Sequence, residues 1–147
     1  MLQLATSFHS IYKKFLGLID DYELGLVSDE ELSEILFGYL DKARSLDFPQ
    51  CRKNLELITE SNGVGEFHED LTSQEQYILA LCMKKAWISP KLNNADLMSK
   101  EIGDRDYKAV QGTNYIKELS NLKSDIDDEI RRYEISYTYK DFSLEGW

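Results

Sequence analysis

The sequence predicts a mainly α fold: a bundle of about four to five helices with a small β-hairpin and an extended C-terminal arm. Three observations carry that reading. Apolar residues recur at three- and four-residue steps in stretches beginning near Leu4, Leu32, Ile78 and Ile116, the spacing of helices that bury one face. Two of these stretches open on a capping box, Ser28-Asp29-Glu30-Glu31 and Thr72-Ser73-Gln74-Glu75, in which a hydroxyl and a carboxylate satisfy free N–H groups at a helix start. The period shortens to two only over residues 51–70 and again after Ser136, where apolar and polar residues alternate as on strands.

The first helix is expected from about Gln3 to Leu24, with Leu4, Phe8, Ile11, Tyr12, Phe15, Leu16 and Ile19 on its buried side and Gly25 at its cap. The second starts at Ser28 and carries Leu32, Ile35, Leu36, Tyr39, Leu40 and Ala43 to about Leu46. The short joint between them makes an antiparallel pair. Phe48-Pro49 then stops helix formation, because the residue before proline is pushed to an extended conformation. Over 51–70 a hairpin is expected, turning near Ser61-Asn62-Gly63-Val64-Gly65; the alternative is a third helix to Glu60 and a loose loop.

The chain is organised around Leu71–Met98. Ile78, Leu79, Cys82, Ala86 and Trp87 fall on one side, and Leu81, Met83 and Ile88 widen the apolar face beyond what one partner helix covers. Ser89-Pro90 is expected to break this helix, since the ring opposes the Ala86 carbonyl and removes a donor, with a shorter helix following to about Glu101. A polar turn over Gly103–Lys108 and Gly112-Thr113 precede a last helix from about Asn114 to Glu134, striped by Ile116, Leu119, Leu122, Ile126, Ile130 and Tyr133. Residues 1–135 thus read as a single helical domain and 136–147 as a C-terminal arm.

At 147 residues the chain can bury roughly two thirds of the surface its unfolded form exposes. Its net charge of −10 repels a nucleic-acid backbone at long range. Lys84-Lys85 and Arg131-Arg132 are isolated pairs that read as solvated helix face rather than phosphate clamp. Cys51 and Cys82 lack metal-like spacing and read as two buried thiols rather than a disulfide. The first residues lack a basic start followed by an apolar run, and no stretch approaches about 18 uninterrupted apolar residues, so neither a signal peptide nor a membrane span is expected.

Catalytic chemistry is thinly supplied. His9 flanks the first helix. His68 sits among Glu66, Glu69 and Asp70, but contiguous acids in a loop seldom converge on one ion. Asp125, Asp127, Asp128 and Glu129 lack the glycine and terminal glutamate of a calcium loop, and Gly63-Val64-Gly65 lacks the lysine of a phosphate loop. A metal-dependent bundle enzyme would need Glu-x-x-His pairs, which the sequence does not contain. No catalytic residue, cofactor or metal is expected. The unusual feature is the end of the chain, where Tyr133, Tyr137, Tyr139, Phe142 and Trp147 crowd aromatics outside the helical core. They either fold back on their own domain or dock on a neighbouring chain, by strand addition or in a groove; the second is the stronger reading, with Tyr137, Tyr139, Phe142 and Trp147 at the contact.

Leu71-Thr72, Glu75, Ile78-Leu79, Met83, Trp87, Asn93-Asn94, Leu97, Asp106-Tyr107-Lys108, Gln111, Asn114, Glu118-Leu119, Leu122 and Tyr137-Thr138-Tyr139 form a scattered pattern over about half of the chain. In that pattern the chain resembles the head-tail connector, adaptor or neck proteins of tailed bacteriophages. The resemblance implies a largely helical virion protein, made in the host cytoplasm, that does no covalent chemistry. It implies a ring of about a dozen copies joining the portal protein to the next neck or tail protein, with DNA passing through unbound and no membrane contact. The alternative is a small acidic cytoplasmic inhibitor of immunity or DNA-mimic type, which would bind a basic partner through acid gathered on one face. Here the cations are spread among the acids.

Overall fold

The computed structural model describes residues 5–19, 23–101 and 106–145, with side chains described except at 23, 94–101, 106–115 and 140–145. Four α-helices and a three-stranded antiparallel sheet surround one core: β1 (Thr6–Ser7), α1 (Phe8–Leu16), α2 (Asp29–Lys42), β2 (Ile58–Ser61), β3 (Val64–Phe67), α3 (Ser73–Glu101) and α4 (Asp106–Glu145). The mainly α class and the hairpin agree with the sequence; several boundaries differ.

The expected first helix is shorter than its stripe. Thr6 and Ser7 pair with Phe67 and Glu66 as the edge strand of a sheet ordered β1-β3-β2. Thr6 Oγ1 donates to the Glu69 carbonyl at 3.0 Å and accepts from the Leu71 amide at 2.7 Å, and Ser7 Oγ caps α1 by accepting from the His9 amide. These long-range bonds outweigh the helical pattern that begins at Leu4, itself outside the described residues. The helix ends at Leu16, and a 3₁₀ turn follows at Glu23–Leu26.

Ser28 caps α2 as expected, its Oγ accepting from the Glu31 amide at 3.2 Å, while Asp29, Glu30 and Glu31 place negative charge at the positive end of the helix. A π-helical turn, Ala43–Asp47, carries the chain to Phe48, whose φ of −131° and ψ of 62° leave the helical region before Pro49. The hairpin pairs Ser61 with Val64 across a two-residue turn, Asn62 and Gly63, whose φ angles of 54° and 84° both lie in the left-handed region. Gly63 is required twice over, since a Cβ there would also stand 2.1 Å from the Ser33 carbonyl oxygen of α2. The Tyr12 hydroxyl donates to the Gly63 carbonyl at 2.7 Å, tying α1 to the turn.

The central helix α3 packs on α1, α2 and α4. Every residue from Ile78 to Met83 is fully buried, so this stretch is enclosed on all sides rather than along one stripe. Its capping box is reciprocal: Thr72 Oγ1 accepts from the Glu75 amide at 3.1 Å, and Glu75 Oε1 from the Thr72 amide at 2.8 Å. The expected break at Ser89-Pro90 does not occur. Pro90 lies inside a continuous helix, where Ser89 Oγ donates to the Lys85 carbonyl at 2.8 Å and Ile88 is fully buried. Trp87 is buried as expected.

The last helix is longer than expected at both ends, running from Asp106 through Gly112-Thr113 to Glu145. It lies antiparallel to α3: Lys85 pairs with Asp127 at 3.7 Å, the Tyr77 and Tyr133 ring centres are 5.1 Å apart, and Tyr137 reaches Glu75 at 2.7 Å. The extended arm is therefore corrected. Residues 136–145 are the last turns of α4, because Ile126, Ile130 and Tyr137 continue one buried stripe. Trp147 lies outside the described residues.

Candidate interaction surface on the C-terminal helix

Tyr137 is 1% exposed and belongs to the chain's own core, which corrects its assignment to a partner contact. Its hydroxyl donates to Glu75 Oε2 and accepts from the Arg52 backbone amide at 2.9 Å and from Arg52 Nε at 3.0 Å. The Arg52 guanidinium lies 4.2 Å from the Tyr137 ring centre, and Phe48 meets the ring edge-on at 5.3 Å. Glu75, also 1% exposed, is held further by Lys53 Nζ at 3.5 Å and faces Cys51 Sγ at 3.7 Å. One carboxylate thus joins the 51–55 loop, the start of α3 and the end of α4.

The electrostatics of this cluster favour structure over chemistry. Burial opposes ionisation of Glu75, but hydrogen bonds from Tyr137 and Thr72 and the charge of Lys53 outweigh it and hold the carboxyl below its ordinary value. Burial first, then the neighbouring Glu75, pushes the Cys51 thiol up to about 11. Burial and the bond to Glu75 push Tyr137 up to about 12. Burial likewise raises Cys82, whose thiol faces the Asp47 carbonyl at 3.7 Å. Neither thiol is poised as a thiolate near neutral pH, and both are free. Among the described residues no group of three or more His, Cys, Asp or Glu is placed to hold a metal ion, and His68 Nε2 lies 2.7 Å from Thr59 Oγ1.

The outward side of the same helix is different. Tyr139 is 71% exposed and Ile135 56%, and Arg131, Ile135 and Tyr139 stand four residues apart on one face. With Gln50, Glu134 and Thr138 they line an apolar groove of about 590 Å³. Glu134 Oε2 accepts from Gln50 Nε2 at 3.0 Å, while Oε1 has no hydrogen-bond partner among the described residues, and burial raises this carboxyl. A second groove, of about 640 Å³, opens on the opposite flank between α1, α3 and α4, with Lys13, Lys14, Tyr77, Tyr133 and Ser136 in its walls.

Of the aromatics expected at a partner contact, Tyr139 is on the surface and Tyr137 is inside; the side chain of Phe142 and all of Trp147 lie outside the described residues. Arg131 is exposed, as expected of a solvated helix face, whereas Ile135 and Gln50 were missed as surface residues. The four-residue spacing of Arg131, Ile135 and Tyr139 marks a helix face only where the helix continues past Glu134. Among the described residues no helix is long and apolar enough to cross a membrane. Compared with protein-family models, curated proteins and solved structures, the chain finds no match.

Proposed function

We propose that this chain is a structural virion protein of a bacteriophage neck, assembling into a ring that joins the portal to the tail and continues the DNA channel. The observation that carries this reading is the exposed Arg131–Ile135–Tyr139 face, mounted on a helix whose opposite side is locked to the body through Tyr137 and Glu75. An apolar stripe held rigidly loses little conformational freedom on docking, so its burial goes into binding a partner. Two grooves on opposite flanks of α4 suit the two unlike faces that a closed ring requires of each subunit. The net charge of −10 suits a channel through which DNA slides, since no counterions are released by contact.

Light scattering on the purified chain across a concentration range tests the proposal, with Ile135→Asp/Tyr139→Asp as the control variant. A large closed oligomer in the wild type, lost in the variant while its circular dichroism is unchanged, is the expected result. A wild-type monomer at every concentration would overturn the ring and favour an acidic inhibitor of a basic partner.

A further inference from the structure

We propose that the groove holding Lys13 and Lys14 receives the end of α4, from Asp141 onward, of a second copy of this chain. The inference rests on the assembly reading above and specifies the contact that assembly uses.

The argument begins from charge. The chain has 27 acidic and 17 basic residues, so two copies repel each other unless their contact sets scarce cations against acid. Lys13 and Lys14 end α1 side by side, and neither forms an ion pair with a described carboxylate. Beside them Tyr77 and Tyr133 supply an aromatic wall, and Ser136 a hydroxyl. The groove therefore suits a segment that is acidic and aromatic and carries no cation of its own.

Such stretches occur within the body of the fold, at 29–41 and 54–70, and one lies at the end of the chain. From Asp141 to Trp147 it reads Asp-Phe-Ser-Leu-Glu-Gly-Trp, with two acids, two aromatics and no Lys or Arg. Positions 141 and 145 are four apart in a stretch that is helical to Glu145, so they share a helix face, with 142 beside them. Tyr137 is level with Glu75 and α3 begins at Ser73, so the last turns of α4 run past the start of α3 by roughly 9 Å. The end of α4 thus projects beyond the helix it packs on.

It cannot enter the groove of its own chain. Tyr133 and Ser136, in the wall of that groove, are on the same helix, which runs away from them in a single helical stretch to Glu145. The occupant is therefore a neighbour's segment. Groove and end are different surfaces, so the contact is heterologous and repeats head to tail, closing where the rotation allows.

Charge reversal on each side separates this contact from assembly in general. Lys13→Glu/Lys14→Glu alters the groove and Asp141→Lys/Glu145→Lys alters the end; mass is measured by light scattering and fold by circular dichroism. Each variant alone, still folded, should need more than about tenfold higher concentration for half-assembly than wild type. Mixing the two should restore assembly, because both contacts then join opposite charges again. Wild-type assembly that should also weaken with added salt is a further expected mark. If wild type assembles and both variants do so equally well, the groove assignment is overturned and the ring stands. If each variant is impaired but mixing does not restore assembly, the pairing of these two surfaces is overturned. A wild type that never assembles overturns both.

Discussion

Glu75 is where a local signal and a distant one meet. Its role in the Thr72 capping box is legible from three-residue spacing, yet its second oxygen belongs to Tyr137, 62 positions further on, which no local pattern announces. Removing the hydroxyl in Tyr137→Phe keeps the ring packed on Phe48 but leaves the Arg52 amide and the Glu75 carboxylate each short of a partner. The expected loss is about 1–3 kcal/mol in urea unfolding. Glu75 also imposes a pH dependence. Its folded carboxyl lies below the ordinary 4.5, so the stability it contributes is fully present above that value and is lost as pH falls through the lowered folded one. Glu134, raised by burial, acts in the opposite sense, its contribution declining as pH rises through the folded value. The difference between wild type and Glu75→Gln isolates the first effect. Unfolding midpoints followed from pH 7 to pH 3 should converge in acid; curves that stay parallel would remove Glu75 from acid sensitivity.

Among the elements, α3 shows how far packing overrides a local rule. Proline inside a helix removes one backbone bond and crowds the carbonyl four residues earlier, a cost of about 3 kcal/mol. Here Ile88 before it is fully buried, Leu92 after it packs on the core, and the Ser89 hydroxyl gives the Lys85 carbonyl a further donor. Ending the helix at Pro90 would forfeit those contacts. Since Pro90 is exposed, Pro90→Ala should restore the missing bond to Ala86 and raise stability by roughly 1–3 kcal/mol. Denaturant titration measures it, and a loss would mean that the ring itself supports the helix pair. The opposite override occurs at β1, where Thr6 trades a helical position for bonds to Glu69 and Leu71 across the sheet.

For the whole molecule, α4 serves as both core and surface. A detachable arm could be removed after Ile135 with the body unharmed. The structure leads to the reverse expectation: truncation before Ser136 takes away Tyr137, leaves Glu75 buried without its donor, and should cost about 3–5 kcal/mol. Ile135→Asp or Tyr139→Asp, both outward, should shift stability by no more than about 0.5 kcal/mol. Thermal unfolding of the three variants side by side distinguishes the cases. A truncated chain as stable as wild type would return residues 136–145 to the status of an arm.

The sequence by itself determined what depends on neighbours three or four residues apart: the mainly α class, the helix starts at Ser28 and Thr72, the stop at Phe48-Pro49 and the Asn62-Gly63 turn. Capping, proline sterics and left-handed φ act within one turn of chain, so they can be read without a fold. Only the tertiary structure decided the strand at Thr6, the continuity of α3 through Pro90, and which of Tyr137 and Tyr139 points inward. Each of these is settled by contacts with residues distant in sequence, as when Tyr137 bonds to Glu75 and Thr6 to Leu71. Burial there outweighs the local preference of the residues concerned.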